Sequence, residues 1–462
     1  MSEHANRRDF LKTVSAGVGG GLIPGKVLGA NDVLNVGVIG VGGRGTSLLR
    51  EVMRMGEQKG NVRVVAYCDV YQKRLTESSE ICPEGTAYRR YKDLLEHPDL
   101  DVVVIATPPH WHAKMSIDAC KAGKDVYCEK PFTQTLDEAK DVQECVRKTG
   151  QVFQVGSQTT SRGHWHQAAN IIQSGVLGKL VMIQGSHHRN SVNEMWDFRM
   201  IGEAGPDQTG DNYIDWKEWL GPSKKVKWDK DNGADRFFRF RKYWEYSSGG
   251  VAGDLLYHNL APVYIAMGGE KAPFPLRVTG TGGISLFKGA ETSDIFTITA
   301  DYASGFQLVF SCTILNGLHV PGYIRGHKAS INLVSHGVFE RDVPSFSVFP
   351  EPLFKDEFRD KCDAAGLTGE WSEVDYSDVS WKRRDQIVPQ LTMTTEKRPT
   401  HMENFLQCVR DRQQPVLTAR AGYKIQTVIS MAVKSFVEGK MVYFDQEKEK
   451  IRGRAPRQKY FT

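Results

Sequence analysis

The chain has 462 residues, more than the roughly 250–300 that one hydrophobic core usually serves, so two domains are expected. Its formal net charge of +5 is a small difference between 60 basic and 55 acidic residues. No basic run concentrates it, which argues against a nucleic-acid partner. The eight cysteines form no C-x-x-C pair, so the sequence indicates neither a zinc knuckle nor a disulfide framework.

The N-terminal segment carries two adjacent arginines, Arg7 and Arg8, ahead of a glycine-rich and weakly apolar run. This arrangement resembles a twin-arginine export signal, and the run is too short to cross a bilayer. We therefore assign residues 1–30 to a signal and expect an exported, periplasmic protein with no stable membrane span after processing. A disordered basic tail is the alternative, and cleavage near Ala30 is open because Leu28 matches the cleavage pattern poorly.

The first regular pattern is a short apolar strand, a glycine turn and a helix, in the stretch VLNVGVIGVGGRGTSLLREVM. Gly40, Gly42 and Gly45 satisfy the pattern G-x-G-x-x-G. Gly40 would permit the tight turn, Gly42 would let the backbone approach a pyrophosphate, and Gly45 would let the helix pack closely on the strand. Gly43 and Arg44 lie in the same loop and are assigned to cofactor binding with them. A strand before and a helix after are the context this motif requires.

A second strand, VRVVAYCDV, ends at Asp69. A carboxylate at this place can accept hydrogen bonds from the adenosine ribose hydroxyls and would repel a 2′-phosphate. The sequence therefore predicts NAD as the cofactor, with NADP less favoured. An aspartate that only caps the following helix is the structural alternative.

Two further strands follow, in DVVVIATPPHWHA and DVYCEKP, and they end near Thr107 and at Glu129-Lys130. Strands that are apolar throughout and alternate with helices predict a doubly wound parallel sheet. Ligands of such sheets bind outside the carboxyl ends of the strands, so these loops are expected to face one crevice. A solvated surface lysine is the alternative for Lys130, but Pro131 restricts its backbone to extended conformations and favours a side chain aimed into the crevice.

After Gly156 the alternation of strand and helix stops. The stretches LRVTGTGGISLF, DIFTITADYASGFQLVFSCTIL and SINLVSHGVFE predict antiparallel strands with short turns. Residues 190–247, rich in Trp, Asp and Arg, are interpreted as long loops near the site. Their aromatic and charged side chains suit a carbohydrate. Residues 340–398 form an insertion to which the sequence assigns no place.

The stretch GGVAGDLLYHNLAPVYIAMGG predicts a helix bracketed by glycines, with Asp254 and His258 four residues apart on one face. An aspartate beside a histidine can fix its tautomer and stabilise its protonated form, which a general base requires. A pair that only hydrogen-bonds locally is the alternative.

The other histidines occur in pairs that carry weaker signals of function. No acidic or cysteine ligands accompany the H-x-H pairs at a fixed spacing, so no metal site is predicted. His110, Trp111 and His112 follow a strand's carboxyl end and are expected to line the nicotinamide end of the crevice, with Pro108. Packing or surface roles are the default for the remaining four, and a place in the substrate loops is the alternative; they are His164, His166, His187 and His188.

The motifs GVGGRG, ATPPHWHA and CEKP, with three later stretches in the same order, resemble the Gfo/Idh/MocA family of sugar and inositol oxidoreductases. The resemblance implies a Rossmann domain over residues 33–156 and a C-terminal α+β domain over 157–462. The second domain has a large open, mostly antiparallel sheet, which implies a homodimer or homotetramer. It also implies that Gln158 contacts the cofactor. The residues assigned to the substrate are Arg162, His187, His188 and Tyr257.

The resemblance implies hydride transfer between a sugar or sugar-like polyol and the nicotinamide ring. We assign catalysis to Lys130, Asp254 and His258, with Lys130 stabilising the reacting oxygen. Whether Lys130 or His258 carries the proton stays open. A glycoside hydrolase acting by transient oxidation is the second hypothesis, ranked lower because such relatives lack the E-K-P lysine. A non-catalytic dinucleotide-binding protein is the third, and the presence of all three residues argues against it.

Overall fold

The structure of the chain is a computed structural model that describes residues 32–190, 198–229, 231–287, 289–334, 342–375 and 387–453. The predicted export signal, residues 1–30, lies outside these described residues. Two sheets organise the described chain, one of six strands and one of eleven. They belong to successive parts of the sequence.

The first domain is a parallel sheet with the order β3-β2-β1-β4-β5-β6, which is the strand order of dinucleotide-binding folds. Every residue of β4, β5 and β6 is buried, as expected where helices cover both faces. The predicted doubly wound parallel sheet is therefore confirmed. Its strands are β1 (Leu34–Ile39), β2 (Val62–Cys68), β3 (Thr86–Tyr88), β4 (Val102–Ile105), β5 (Asp125–Glu129) and β6 (Phe153–Gly156). Its helices are α1 (Gly43–Lys59), α2 (Gln72–Ile81), α3 (Tyr91–Leu95), α4 (Pro109–Lys121) and α5 (Leu136–Thr149).

The strands of the first sheet end level with one another. Ile39 at the end of β1 pairs with Cys68 of β2 and with Ile105 of β4, and Ile105 pairs with Cys128 of β5. The loops that follow these strands therefore leave from one edge of the sheet. In open parallel sheets this is the edge at which ligands bind.

Local signals fix the segment that follows β5. Thr135 caps α5 reciprocally with Glu138: its hydroxyl accepts from the Glu138 N–H at 3.3 Å, and the Glu138 carboxylate accepts from the Thr135 N–H at 2.9 Å. The helix ends at Gly150, which has the left-handed φ of 71° that glycine tolerates best. The Lys130–Pro131 peptide bond in this segment is cis.

The second domain is built on the eleven-stranded sheet, in the order β14-β15-β13-β12-β11-β7-β10-β9-β8-β16-β17. β7 and β10 pair in parallel, and the other strand pairs in the described part of this sheet are antiparallel, which confirms the predicted mostly antiparallel sheet. Its strands are β7 (Leu180–His188), β8 (Arg277–Gly283), β9 (Ile295–Asp301), β10 (Gln307–Thr313), β11 (Gly322–Gly326), β12 (Ala329–Val334), β13 (Ser345–Pro350), β14 (Glu370–Asp375), β15 (Ile387–Thr394), β16 (Val442–Asp445) and β17 (Lys450–Arg452). Its helices are α6 (Gly163–Ser174), α7 (Trp216–Leu220), α8 (Asn232–Phe238), α9 (Val251–Asp254), α10 (Tyr257–Ala266), α11 (Lys355–Ala364), α12 (His401–Asp411) and α13 (Ala419–Glu438).

The two C-terminal helices return to the first domain. Met402 and Phe405 of α12 are buried in the core that surrounds β1 and α1. Gly422 lets α13 lie close to β6, because a Cβ at this position would stand 2.8 Å from the Val155 side chain. These contacts join the second domain to the first.

The helix predicted around Asp254 is divided in the structure. α9 ends at Asp254 and α10 begins at Tyr257, with one irregular turn between them. In that turn the His258 N–H donates to Leu255 O at 3.1 Å, an i−3 bond that is tighter than the i−4 bond of an α-helix. Asp254 and His258 therefore lie on consecutive short helices rather than on one.

The region predicted as long loops near the site has more structure than expected. α7 and α8 lie within it, and their aromatic side chains form a separate cluster in which the Trp216 and Trp219 rings stack at 4.7 Å. Aromatic packing with no regular period explains why the sequence showed no element here. In the part of the chain that the structure describes, no helix combines the length and apolar composition of a membrane span.

Candidate active site

A cavity of about 850 Å³ runs along the edge at which the strands of the first sheet end. One wall comes from the first domain and contains Gly40, Asp69, Thr107 and Lys130. The opposite wall comes from the second domain, including residues of the aromatic cluster and His258. The structure thus brings the four strand-end loops into one crevice and closes it with the second domain.

The glycine loop leaves no room for side chains at two positions. Gly40 has a φ of +84°, and a Cβ there would stand 2.9 Å from the Ala106 backbone. A Cβ at Gly45 would stand 1.7 Å from Gly40 O, so only glycine lets α1 begin this close to β1. A Cβ at Gly43 would meet nothing within 4 Å, and this residue lines the cavity at the start of α1. A helix N-terminus beside open space is what a pyrophosphate requires, so the loop fits a dinucleotide.

Asp69 is buried at the tip of β2 and is held by backbone donors. Its carboxylate accepts hydrogen bonds from the Val41 and Tyr71 N–H groups, each at 3.0 Å, and lies 3.6 Å from the Arg74 guanidinium. The Val41 bond links Asp69 to the glycine loop rather than to the following helix alone. The carboxylate is therefore fixed at the place predicted for ribose recognition.

Glu129 joins two other predicted cofactor residues, Arg44 and Gln158. Its carboxylate accepts from Arg44 Nε at 2.8 Å and from Gln158 Nε2 at 3.0 Å. Gln158 also donates to the Tyr127 hydroxyl at 2.6 Å. Arg44, Glu129 and Gln158 all line the cavity, so this network forms its floor between the glycine loop and Lys130.

Lys130 forms a buried ion pair with Asp254. Its Nζ lies 3.0 Å from the Asp254 carboxylate and 3.2 Å from the Asp254 backbone oxygen, and the two side chains are 14% and 9% exposed. Arg241 Nε lies 3.2 Å from the same carboxylate. Burial alone would raise the pKa of Asp254, but Arg241 and Lys130 outweigh it and hold that pKa well below its usual range. The sequence predicted Asp254 to orient His258; the structure gives it Lys130 and Arg241 as ion-pair partners.

His258 lines the cavity and lies against a second histidine. The His258 and His187 ring centroids are 5.2 Å apart, and His187 Nε2 accepts from Arg189 Nε at 2.8 Å. Burial lowers the pKa of His258 well below 6.5, Lys130 and His187 lower it further, and Asp254 opposes them. Burial lowers the pKa of His187 in the same way, so both rings are neutral at neutral pH, and a neutral ring nitrogen can accept a proton.

The three residues expected at the nicotinamide end take different positions. Trp111 lines the cavity, and both its Nε1 and His110 Nε2 bond Trp219 O, at 2.8 and 2.9 Å. His112 is buried behind the crevice, with Nδ1 2.7 Å from Pro131 O and Nε2 2.8 Å from Thr107 O. It thus ties the loop after β4 to the segment that carries Lys130. Burial lowers the pKa of His110 to about 4.

None of the four predicted substrate residues lines the cavity. Tyr257 is completely buried in the main core. Arg162 forms an ion pair with Asp342 at 2.9 Å. His188 bonds Leu318 O at 2.5 Å and the Ser311 hydroxyl at 2.9 Å, away from its neighbour His187. His187 is buried, and its ring packs beside that of His258, which does line the cavity.

Sequence reasoning missed the cationic side chains of the second domain. Arg189, Arg199 and Arg241 line the cavity, but they lie in segments with no periodic pattern. The one available signal for Arg241 was its place in the basic, aromatic run FRFRKYW, shortly before Asp254. Among the described residues, no group of three or more His, Cys, Asp or Glu side chains could hold a metal ion.

Comparison with protein families matches two regions of the chain. Residues 34–157 match the Gfo/Idh/MocA profile described as "Oxidoreductase family, NAD-binding Rossmann fold". Residues 220–444 match the companion profile, "Oxidoreductase family, C-terminal alpha/beta domain". Together the two matches cover most of the chain and correspond to its two sheets.

Individual relatives match over shorter lengths. Inositol 2-dehydrogenase of Salmonella typhimurium is 32% identical over 160 residues, which are 34% of this chain and 47% of the relative. A glycosyl hydrolase family 109 protein of Shewanella pealeana is 28% identical over 206 residues, which are 38% of this chain and 44% of the relative. The chain thus spans about half the length of the curated relatives it matches.

Solved structures share the fold over nearly the whole chain. The WlbA dehydrogenase of Bordetella pertussis, solved with NADH and UDP-GlcNAcA, superposes with a TM-score of 0.62 at 15% identity. The superposition covers 89% of this chain and 99% of that one. At this identity the likeness shows the architecture alone.

Proposed function

Because the chain belongs to the Gfo/Idh/MocA family of oxidoreductases, we propose that it transfers hydride between a sugar or sugar-like polyol and a tightly bound nicotinamide cofactor. The observation that carries this proposal is the place of Lys130. It stands at the end of β5 in the same cavity as the glycine loop, paired with Asp254 and facing the wall that carries His258. A surface lysine would show none of these features.

The cofactor residues fit a dinucleotide. The glycine loop accepts a pyrophosphate at the start of α1, and the fixed Asp69 carboxylate accepts the ribose hydroxyls. The same carboxylate disfavours a 2′-phosphate, which supports NAD over NADP. When bound, the nicotinamide ring takes up or gives back the hydride.

Residues of the chain transfer the proton and stabilise the reacting oxygen. Lys130 donates a hydrogen bond to the reacting oxygen and stabilises the negative charge that develops there, in a site shielded from water. Asp254, itself held by Arg241, keeps the ammonium group in place. His258 is neutral and accepts the hydroxyl proton during oxidation, then returns it during reduction. A direct proton transfer by Lys130 is the competing assignment.

We further propose that the protein is exported, that it keeps its nucleotide through turnover, and that copies associate as a homodimer or homotetramer. Arg7 and Arg8 support export. Free nucleotide is scarce outside the cytoplasm, so an exported enzyme would oxidise one substrate and reduce another on the same bound cofactor. Denaturing the purified protein should release one nicotinamide dinucleotide per chain, and release of none would remove this part of the proposal.

A glycoside hydrolase that oxidises its substrate transiently is the second candidate. The observation that favours it is the similarity to the glycosyl hydrolase family 109 protein. Both candidates begin with oxidation of a sugar carbon, so they differ in the product. Panels of free sugars and of aryl glycosides separate them, because an oxidoreductase accumulates oxidised sugar whereas a hydrolase releases the aglycone without net oxidation.

The direct test uses the full chain and the nicotinamide absorbance with a sugar and polyol panel. Turnover should fall about 100- to 1,000-fold in Lys130→Met and persist in Lys121→Met, whose lysine is exposed on α4 of the same domain. Equal turnover in both variants would show that Lys130 takes no part in the reaction.

A further inference from the structure

One segment of the second domain, which we name the strap, crosses to the first domain. It comprises residues 205–229 and 231–246 and contains α7 and α8. It is fastened to the chain just after β2 by backbone hydrogen bonds: Gln72 N–H donates to Tyr213 O at 3.0 Å, and Asp215 N–H donates to Val70 O at 2.9 Å. Between them, Tyr71 and Ile214 form an antiparallel bridge. The strap therefore sits directly beside Asp69.

A second attachment fixes the strap to the loop after β4. Trp219 O accepts from Trp111 Nε1 at 2.8 Å and lies 2.9 Å from His110 Nε2. The Trp111 ring also packs on Gly221, where a Cβ would stand 2.0 Å from the ring and where φ is +50°. The strap is thus held both at the loop after β2, which carries Asp69, and at the loop after β4.

Beyond these attachments, in α8, the strap presents aromatic rings to the cavity. Phe237 and Phe238 of α8 line it, together with Arg74 and Tyr71 of the first domain. The Arg74 guanidinium lies 5.2 Å from the Phe237 ring centroid and 5.6 Å from that of Tyr71, as well as beside Asp69. Phe238 is half-buried, with its ring centroid 6.2 Å from that of Tyr71.

We propose that this group, Arg74 with Phe237 and Phe238, is the adenine subsite of the cofactor, and that the strap holds the dinucleotide through its adenosine half. The inference rests on the proposed function, because it needs a nicotinamide dinucleotide in the crevice. A purine base is flat and apolar on its faces, so it stacks on phenylalanine rings and on the plane of a guanidinium group. The ribose hydroxyls then reach the Asp69 carboxylate, 3.6 Å from Arg74.

Retention of the cofactor follows from this arrangement. Two of the stacking residues belong to the second domain, whereas Asp69 and the glycine loop belong to the first. Release of the adenosine half therefore requires the strap to separate from the first domain or the aromatic rings to part. This reason for slow exchange is independent of the export signal.

The test compares two reduced nucleotides that share the nicotinamide half. NADH carries adenosine and reduced nicotinamide mononucleotide does not. The full chain is loaded with either one, chased with excess NAD, and the dissociation rate is followed by the fluorescence of the reduced ring. Phe238→Ala should raise the NADH dissociation rate about tenfold, as expected for one lost base-stacking contact. It should leave the mononucleotide rate unchanged.

Two further variants complete the design. Phe354→Ala removes an equally half-buried ring that does not line the cavity, and it should change neither rate. The Arg74 side chain is 31% exposed, and Arg74→Met should likewise accelerate the release of NADH but not of the mononucleotide. This variant replaces Phe238→Ala in the test if Phe238→Ala does not fold. Unchanged NADH release in both variants, or an equal acceleration of both nucleotides, would overturn the subsite. A wild-type chain that binds neither nucleotide would instead contradict the proposed function itself.

Discussion

The ion pair of Lys130 and Asp254 gives the sharpest prediction about stability. Asp254→Asn removes the charge that balances Lys130 at 3.0 Å and Arg241 at 3.2 Å, in a place where the Asp254 side chain is 9% exposed. Two cations are then left close together, largely out of water. Removing one partner of a buried pair costs about 3–5 kcal/mol of the free energy of unfolding. The asparagine oxygen still accepts a hydrogen bond from Lys130, so we expect about 3 kcal/mol.

The measurement is urea unfolding at pH 7, followed by tryptophan fluorescence. Glu144→Gln is the matched control, because Glu144 pairs with Arg147 and Lys148 on the exposed surface of α5 and should change stability little. An Asp254→Asn protein that unfolds at the wild-type urea concentration would refute the argument that this pair is buried and unscreened.

The pH dependence of the stability difference between the wild type and Asp254→Asn provides a second check. The folded-state pKa of Asp254 is depressed, so its contribution is fully present above the unfolded value of about 4 and is lost as the pH falls towards the folded value. The difference between the wild type and Asp254→Asn should therefore stay constant from pH 7 to pH 5. Below about pH 4 the difference should shrink, and a difference that stays the same there would mean that the folded-state pKa of Asp254 is not depressed.

The other predictions concern catalysis and cofactor binding. Lys130→Met should lower kcat by about 100- to 1,000-fold with NADH affinity retained, measured by steady-state kinetics and fluorescence titration; a fall in affinity alone would assign Lys130 to binding. Because the pKa of His258 is lowered, its imidazole should stay neutral and wild-type activity should not fall between pH 8 and pH 6.5. A pH–activity profile with an inflection near 6.5 that is absent in His258→Gln would contradict the lowered pKa. Gly45→Ala should abolish NADH binding, since its Cβ would stand 1.7 Å from Gly40 O, whereas Gly283→Ala, with open space around it, should bind as wild type. Asp69→Ser should narrow the preference for NADH over NADPH, and an unchanged preference would exclude the ribose role of that carboxylate.

The parts of the fold that the sequence predicted are those encoded by local patterns. β4 is apolar throughout because both of its faces are covered, and the glycine turn after β1 has steric requirements that Gly40 and Gly45 meet. The place of Lys130 followed from a general property of parallel sheets. Strands that end level bring their following loops together, whatever residues those loops contain.

The parts that the sequence did not predict depend on contacts between distant segments. Asp254 pairs with Lys130, 124 residues away, and no spacing rule connects the two. The strap is held by aromatic packing and by carbonyl oxygens such as Trp219 O, which leave no periodic trace. For His187 and His188 a signal did exist. Adjacent residues of a strand point to opposite faces, so prediction of β7 would have excluded one of them from the site.

The central proposal is that hydride passes between a sugar carbon and a nicotinamide ring in this crevice. The most direct measurement mixes the purified full chain with pools of sugars and polyols and follows the absorbance of its bound nicotinamide within one turnover. At least one pool should reduce the ring in the wild type, and the same pool should leave the ring of Lys130→Met unreduced within that time. A protein that binds NAD but whose nicotinamide no pool reduces, or a Lys130→Met protein that is reduced as fast as the wild type, would contradict this proposal.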